Sequence, residues 1–309
     1  MLELTPEMHP DVHWSIMIRD VSKVRLENEN EGGGRASGPT PSPSSTLFAL
    51  NPADCLKTAS IGKLFLLAEV MRQAEVGTIS LVDVIDRDYE RPDDPMEDSG
   101  LLYMLNARTW TVADLAVLIG AFSDNYATNL LVEHAGLGNV QRCTREILGY
   151  RTSNLLDKVR WERPPGPQSP DDMSRGCADE LCDYMSRLAH GTLISAEASQ
   201  QIIRWLAADA DTSMASGAFN VDPLAHWPSD AGFRLCHKTG TESDVRCDVG
   251  LVRAESTGTS VTWAILANWD KARHGDLRDE VLAGMRGLGA KIRRYACAET
   301  EQERGGVWE

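Results

Sequence analysis

The amino-acid sequence predicts an α/β protein of the α+β kind, in which an antiparallel sheet flanked by helices carries an inserted all-helical domain. Strand-like segments rich in β-branched and apolar residues occur near both ends of the chain, whereas residues 58–210 show helical periodicity. Because the strand-rich parts lie at the two ends, we expect residues 1–57 and 211–309 to share one sheet. The helical domain would meet this sheet domain at a cleft, which is a common place for an active site.

The first two strands are predicted at Trp14–Arg19 and Thr46–Leu50, paired as one hairpin. Residues 27–45 lie between them and contain the runs Gly32–Gly34 and Pro39–Pro43. A segment of this composition cannot bury a core, so we expect a flexible insertion. A lid over the active site is the alternative, which the lack of aromatic or apolar anchors disfavours.

The helical part begins with an amphipathic pattern. Apolar residues from Leu64 to Met71 fall at positions i, i+3, i+4 and i+7, the spacing of a helix with one buried face. Thr111 followed by Asp114 is typical of a helix start. Further helices are predicted at Asp124–Ala135, Asn139–Leu148, Pro170–Ala189 and Ala196–Ala208.

Strands return in the last third of the chain, and one more helix closes it. The strands are predicted at Phe233–His237, Cys247–Arg253 and Ser260–Asn268, and the helix at 275–294. Residues 297–309 are expected to be frayed.

Composition and charge restrict the possible functions. Hydrophobic residues make up 42% of the chain and charged residues 25%, which excludes wholesale disorder. The formal net charge of −15 makes nucleic acid or an anionic membrane surface an unfavourable partner. The longest apolar runs are far shorter than the roughly 18–20 residues of a membrane span. The first residues lack the basic and apolar regions of a signal peptide, so we expect a cytoplasmic protein.

Cysteine and histidine spacing indicates neither a disulfide framework nor a metal site. The seven cysteines are widely and irregularly spaced, which is typical of free thiols in a reducing compartment. His134 and His226 have no partners at metal-ligand spacing, so neither a metal nor another cofactor is expected. His237 faces either the cleft or the far side of its strand, and we favour a structural role.

Three short motifs occur in order along the chain: Ser60-Ile-Gly-Lys63, Ser123-Asp-Asn125 and Lys238-Thr-Gly240. The combination S-x-x-K, S-D-N and K-T-G is typical of class A β-lactamases and penicillin-binding proteins. A serine and a lysine three positions apart are common by chance, but the two tripeptides are rare. The chain therefore resembles the serine β-lactamase and penicillin-binding protein family, class A branch, over nearly its whole length.

The residues themselves support Ser60 as a nucleophile. Ser60 lies at the first turn of a predicted helix, where unpaired amides and the helix dipole favour an oxyanion. Lys63 follows one turn later on the same face. A lysine near other cations in a dry cleft loses its proton more readily and can take the proton of the serine. The alternatives are an ordinary N-cap for Ser60 and an exposed charge for Lys63.

The resemblance implies roles for the second motif. Ser123 would relay a proton to the leaving nitrogen, and Asn125 would hold the amide of the substrate. Serine, aspartate and asparagine also cap helices well, and the two roles are compatible. Asp124 is expected to be the purely structural member.

The resemblance also implies roles for the third motif, which follows an apolar strand. Lys238 would set the electrostatics of the cleft, and Thr239 and Thr241 would contact a substrate carboxylate. Gly240 would permit close approach of the substrate to the backbone. The backbone amides of Thr241 and Ser60 would form the oxyanion hole.

The chain departs from the family pattern in two places. The family often keeps an arginine that binds substrate carboxylates, and Arg246 aligns with it only if a gap of one residue is allowed. The alternative is that Arg246 is a solvated charge. Class A enzymes also carry Glu-x-x-Leu-Asn between the second and third motifs, and that glutamate activates the deacylating water. The motif is absent here, and residues 154–170 contain Asp157 and Glu162 as their only carboxylates. Glu162 is a candidate substitute base, but a surface carboxylate is the favoured interpretation.

Together these features predict a serine acyl-enzyme catalyst acting on an ester or amide carbonyl. Because the acylating groups are present and the deacylating base is not, we favour an intracellular acyltransferase or specialised hydrolase in natural-product metabolism. The expected partners are a small-molecule ester, amide or β-lactam and an amine or alcohol acceptor. The alternative is a class A-like β-lactamase with a non-standard deacylation base. A non-catalytic binding protein is disfavoured, because it has no need for both Ser60 and Lys63.

Overall fold

The longer strands lie near both ends of the chain, most helices lie between them, and further helices close the chain in the computed structural model, which describes residues 8–22, 46–86, 99–160, 162, 170–227 and 230–308. The strands are β1 (Val12–Asp20), β2 (Thr46–Leu50), β3 (Leu56–Lys57), β4 (Val84–Asp86), β5 (Thr109–Thr111), β6 (Asn154–Leu155), β7 (Ser174–Gly176), β8 (Phe233–Glu242), β9 (Val245–Ala254) and β10 (Ser260–Trp269). The helices are α1 (Lys63–Glu75), α2 (Val112–Phe122), α3 (Asn125–Ala135), α4 (Leu137–Arg142), α5 (Ala178–His190), α6 (Ala196–Leu206), α7 (Lys271–His274), α8 (Arg278–Cys297) and α9 (Glu301–Gly305).

The main sheet has five antiparallel strands in the order β2-β1-β10-β9-β8. The predicted pairing of β1 with β2 is confirmed, and the insertion predicted at residues 27–45 lies outside the described residues. β1 also pairs with β10, so the two ends of the chain share one sheet. β8, which carries the third motif, is an edge strand of this sheet, so its outer edge has no strand partner within it.

A local capping signal correctly predicts the start of α2, whereas the end of another helix is predicted wrongly. The hydroxyl of Thr111 accepts a hydrogen bond from the amide of Asp114, and the carboxylate of Asp114 accepts one from the amide of Thr111. This capping box starts α2 as predicted. The helix predicted at Asn139–Leu148 instead ends at Arg142 and continues as a π turn, Cys143–Ile147.

The helix predicted at Pro170–Ala189 is wrong in its first part. Ser174–Gly176 forms β7, and the helix begins only at Ala178. β7 pairs with β3 on one side and with β6 on the other. These partners are distant in sequence, so the pairing overrides a local pattern that is compatible with a helix.

The C-terminal end is more ordered than predicted. α8 begins at Arg278, slightly later than expected. The expectation of a frayed end at residues 297–309 is wrong for Glu301–Gly305, which forms α9. Thr300 and Glu303 form a capping box that satisfies the first amides of this short helix. None of the helices in the described parts of the chain is long and apolar enough to cross a membrane.

Two hydrophobic clusters cover the two faces of the main sheet. On one face, α1, α2, α3, α5 and α6 pack with strand residues such as Cys236 and Ala264. On the other face, α8 packs on strand residues such as Leu235 and Trp263. An antiparallel sheet between helical layers is the fold class that the sequence predicts. The predicted division into a sheet domain and a helical domain stays a prediction.

Candidate active site

Ser60 lies in a 3-10 turn, Ala59–Gly62, that leads directly into α1 and is called the serine turn below. Ala59 has φ of +49°, in the left-handed region that alanine rarely adopts. The Oγ of Ser174 in β7 donates a hydrogen bond to the carbonyl oxygen of Ala59 at 2.6 Å and lies 2.7 Å from the Oγ of Thr58. Such backbone strain, on the order of 1–3 kcal/mol, persists only where neighbouring contacts fix it. β7 therefore holds the residue before the predicted nucleophile in one conformation.

Lys63, the first residue of α1, is completely buried. Its Nζ donates hydrogen bonds to the carbonyl oxygen of Ser123 at 2.6 Å, to the Oγ of Ser123 at 3.2 Å and to the Oδ1 of Asn125 at 2.6 Å. The first two motifs therefore meet at one nitrogen atom. Ser60 precedes Lys63 by three positions in the turn that leads into α1, so its role beside this amine stays a prediction.

Asp124 organises the backbone around the second motif. It caps the N-terminus of α3, because its Oδ1 accepts a hydrogen bond from an amide in the first turn at 2.8 Å. Its Oδ2 accepts hydrogen bonds from the amides of Leu101 and Leu102, both at 2.7 Å. Asp124 thus has the structural role that the sequence indicates. Ser123, directly before it, has φ of +53° at the end of α2.

The third motif lies against the serine turn. A Cβ atom at Gly240 would be 2.3 Å from the carbonyl oxygen of Thr58, so only glycine lets β8 approach this closely. Lys238 is completely buried. Its Nζ donates a hydrogen bond to the carbonyl oxygen of Thr239 at 3.0 Å and lies 3.9 Å from the Oδ2 of Asp209. All three motifs are thus brought to one place.

The residues predicted to contact a substrate carboxylate differ in their surroundings. Thr239 is buried, whereas Thr241 is exposed. Arg246 lies opposite Thr241 in the β8–β9 pair. Its Nη1 donates hydrogen bonds to the carbonyl oxygens of Glu242 at 2.5 Å and Val245 at 2.7 Å. Part of its guanidinium is therefore bound to the turn between the strands, and the carboxylate-binding roles stay predictions.

A buried group of charges lies behind β8, and the sequence analysis did not find it. His237 is on the face of β8 that packs toward α8, and its Nδ1 is 3.5 Å from the Oδ1 of Asp248. The carboxylate of Asp248 accepts hydrogen bonds from the amide of Ser216 and the indole N–H of Trp263, both at 3.0 Å. The ring of His226 stacks on that of His237, with centroids 5.4 Å apart.

These charges shift one another's pKa. Burial opposes a charge on His237, but Asp209 and Asp248 outweigh it and raise the pKa of this imidazole. Burial lowers the pKa of Lys238, and Asp209 offsets only part of that effect. Burial also raises the pKa of Asp209 despite the charge of Lys238, and burial beside His237 lowers the pKa of His226 to about 4. The charge of Lys238 therefore depends on a carboxylate that is itself difficult to ionise.

The loop between the second and third motifs is bound to α3 through Asn129. The Nδ2 of Asn129 donates a hydrogen bond to the carbonyl oxygen of Val159, and its Oδ1 accepts one from the amide of Val159, both at 2.9 Å. Asn129 lies one turn after Asn125 on α3, and this spacing is the signal that sequence reasoning missed. The loop residue held beside the second motif is therefore Val159, a buried apolar side chain.

The two carboxylates of this loop have other surroundings. Asp157 is buried, and its Oδ2 accepts a hydrogen bond from the Nε of Arg160 at 2.9 Å. Glu162 is exposed to solvent. Its exposure agrees with the interpretation of Glu162 as a surface carboxylate.

Among the described residues, no cluster of three or more His, Cys, Asp or Glu side chains could hold a metal ion. All seven cysteines are free thiols, and Cys55 and Cys297 are the exposed ones.

Residues 40–295 match the model of a protein family described as the beta-lactamase enzyme family. The matched range is more than half of the chain and includes all three motifs. A search of curated proteins finds no match.

Comparison with solved structures finds β-lactamases and a penicillin-binding protein. A β-lactamase from Sphaerobacter thermophilus DSM 20745 is 24% identical with a TM-score of 0.68, covering 90% of this chain and 91% of that one. A class A β-lactamase from Mycobacterium abscessus is 14% identical with a TM-score of 0.67, covering 92% and 94%. A leucine-to-glutamate mutant of PBP-A, solved as its acyl-enzyme complex with penicillin G, is 15% identical with a TM-score of 0.64, covering 92% of each chain. At these identities the likeness shows the fold.

Proposed function

The chain belongs to the beta-lactamase enzyme family, and we propose that it is a serine acyl-enzyme catalyst that passes an acyl group to an amine or an alcohol in preference to water. The acyl donor is an ester, an amide or a β-lactam. Ser60 is the nucleophile, Lys63 the base and Ser123 the proton relay. The observation that carries the preference against water is that the loop residue fixed beside the second motif is Val159 rather than a carboxylate.

Acylation forms a bond between the Oγ of Ser60 and the carbonyl carbon and breaks the bond from that carbon to the leaving nitrogen or oxygen. The proton of Ser60 moves to the amine of Lys63, and Ser123 takes a proton from Lys63 as it hands its own to the leaving atom. The 3.2 Å distance between the Nζ of Lys63 and the Oγ of Ser123 supports this path. The two oxygens at 2.6 Å hold this nitrogen in place between the first two motifs.

Stabilisation of the tetrahedral oxyanion is assigned to the backbone amides of Ser60 and Thr241. The close approach of Gly240 to Thr58 supports this assignment, because it sets β8 against the serine turn. Lys238 adds positive charge to β8, the strand that faces the serine turn. Asn125 is assigned to the amide of the substrate.

An apolar acyl group fits the rim of this site best. The segment held by Asp124 continues into Tyr103, Met104 and Leu105, whose side chains are all exposed. A run of exposed apolar side chains beside a polar site is typical of a surface that contacts an apolar ligand. We therefore propose an acyl donor with an aliphatic or aromatic side chain.

Deacylation requires a second nucleophile at the carbon of the Ser60 ester. An amine or alcohol that binds in the place of the leaving group uses Lys63 and Ser123 in the reverse of acylation. In class A enzymes the deacylating water is activated by a glutamate of the loop, whereas Val159 has no group that accepts a proton. Exposed Glu162 is not held at the site by any contact among the described residues.

Intact-mass spectrometry with penicillin G and with activated aryl esters tests this function. Penicillin G is a suitable probe donor, since a PBP-A mutant of this fold was solved as its acyl-enzyme. We expect a stable adduct on the wild-type protein, none on Ser60→Ala, and a product that contains an added amine. Rapid hydrolysis of penicillin G without an adduct or an amine product would identify a β-lactamase instead.

A further inference from the structure

A groove on the face of the molecule opposite the serine turn is lined by three arginines. It lies between α8 and the 3-10 segment Ala215–Phe219, and its volume is about 600 Å³. Arg286, Arg293, Arg294 and Cys297 line it from α8. Their positions i, i+7, i+8 and i+11 lie on one side of a helix, so a single face of α8 forms this wall.

Two of these arginines are held in place by the backbone of the protein. The Nη1 of Arg286 donates a hydrogen bond to the carbonyl oxygen of Ser213 at 3.2 Å, and the Nη1 of Arg293 donates one to that of Ala218 at 3.1 Å. The guanidinium of Arg293 also lies over the ring of Phe233, 5.6 Å from its centroid. A guanidinium has five N–H donors, so these contacts fix its orientation and leave other donors for a ligand. Groups fixed before binding lose less entropy when a ligand arrives.

The positive charge of the groove is not neutralised by neighbouring carboxylates. Over the described ranges of the chain, Arg286, Arg293 and Arg294 form no ion pair, whereas arginines such as Arg72 and Arg175 do. The protein as a whole carries a formal net charge of −15. Three unpaired guanidinium groups that converge on a concave surface of an acidic protein create a local positive potential. That potential attracts anions to this place.

We propose that this groove binds a small organic phosphate, with the phosphate or diphosphate group held by the three guanidinium groups. Guanidinium matches phosphate oxygens in bidentate geometry, and three cations suit a ligand with more than one negative charge. The volume lies in the roughly 300–1,000 Å³ range of small-molecule sites. The small residues Gly217, Ala218 and Ala290 and the polar Asn220 complete the lining and provide a surface for the remainder of the ligand.

The two exposed thiols provide a test within one molecule. Cys297 lines the groove, and Cys55 is exposed elsewhere, while the other five cysteines are buried. With inorganic pyrophosphate as the probe at ten times its dissociation constant, alkylation of Cys297 by iodoacetamide should slow about tenfold. Alkylation of Cys55 should not change. Peptide mass spectrometry after timed quenching gives both rates from one sample.

A pair of matched variants separates specific binding from charge screening. Arg294→Gln removes one guanidinium that has no hydrogen bond or ion pair to described residues, and pyrophosphate affinity should fall about tenfold. Arg253→Gln removes the same charge from an exposed position outside the groove and should bind as the wild type does. Failure of pyrophosphate to protect Cys297, or equal protection in Arg294→Gln, overturns the proposal. Equal protection of Cys297 by citrate overturns the assignment to phosphate. Equal protection by chloride at matched ionic strength means that charge screening is the only effect, which also overturns the proposal.

Discussion

Two regions meet at α3: the first contains the serine turn and Lys63, and the second is the loop at Val159. Hydrogen bonds fix both regions, but the chemistry that each provides differs. On one side, Lys63 joins the serine turn to Ser123 and Asn125 through three hydrogen bonds. On the other side, Asn129 fixes the loop at Val159 through two hydrogen bonds of 2.9 Å. The loop is therefore attached to α3 through the backbone of a residue whose side chain is apolar. Under the proposed function, this difference corresponds to a loss of water activation while the acylating groups stay in place.

The largest effect expected is that of Ser60→Ala on the first region. Without the nucleophilic hydroxyl, no ester can form, so acyl-enzyme formation should fall on the order of 10³-fold or more. Intact-mass spectrometry with an activated ester measures this directly. Ser213→Ala, which removes an exposed hydroxyl elsewhere, is the control and should be acylated at the wild-type rate. An adduct of unchanged yield on Ser60→Ala would remove Ser60 as the nucleophile.

A carboxylate introduced into the second region should restore hydrolysis. Val159→Glu places a potential general base on the loop residue that Asn129 holds beside the second motif, so loss of the acyl-enzyme to water should accelerate on the order of 10²-fold. Stopped-flow acylation followed by timed mass spectra gives the deacylation rate. Val159→Gln has the same shape without the basic oxygen and should deacylate at the wild-type rate. Equal deacylation rates in the two variants would show that the missing carboxylate at position 159 is not what limits hydrolysis.

Substitution of the buried carboxylate Asp209 should affect acylation less than Ser60→Ala does. Burial lowers the pKa of Lys238, and Asp209 is the charge that opposes this effect most strongly. Asp209→Asn should lower that pKa further, so the cation is lost at a lower pH as the pH rises. The alkaline limb of the acylation profile should therefore shift to lower pH, with acylation at alkaline pH about tenfold slower. Asp209→Glu should restore part of the profile, and an unshifted alkaline limb in Asp209→Asn would contradict the role of Asp209.

The smallest effect expected is that of Glu162→Gln. Glu162 is exposed, so removing its charge should change the deacylation rate by less than about twofold. The measurement is again the decay of the acyl-enzyme by mass. Accumulation of a long-lived acyl-enzyme in this variant alone would identify Glu162 as the deacylating base and the protein as a β-lactamase with a rebuilt loop.

The part of the site encoded in short motifs could be predicted from the sequence. Ser60, Lys63 and Ser123 lie within contiguous motifs, and the helix starts beside them depend on local capping signals such as Thr111 with Asp114. The strands β1 and β2 were predicted from their β-branched and apolar composition, and their pairing is confirmed. These features depend on neighbours in sequence, and local patterns therefore contain them.

The rest depends on residues that are distant in sequence. Asn129 and Val159 are 30 positions apart, and their contact is set by the path of the loop. Asp209 and Asp248 reach Lys238 and His237 only because β8 and β9 pair and α6 ends behind them. No periodicity or motif encodes such distances. The strand β7 was assigned to a helix for the same reason, because its partners are remote segments.

The rate of acyl-enzyme loss as a function of added amine tests the central claim most directly. The wild-type protein is acylated with an activated ester, freed of excess donor and followed by intact mass at increasing amine concentration. The account predicts slow loss without amine, a rate that rises with amine concentration, and an amide product that contains the added amine. Rapid loss that does not depend on amine, with only the free acid as product, would contradict it.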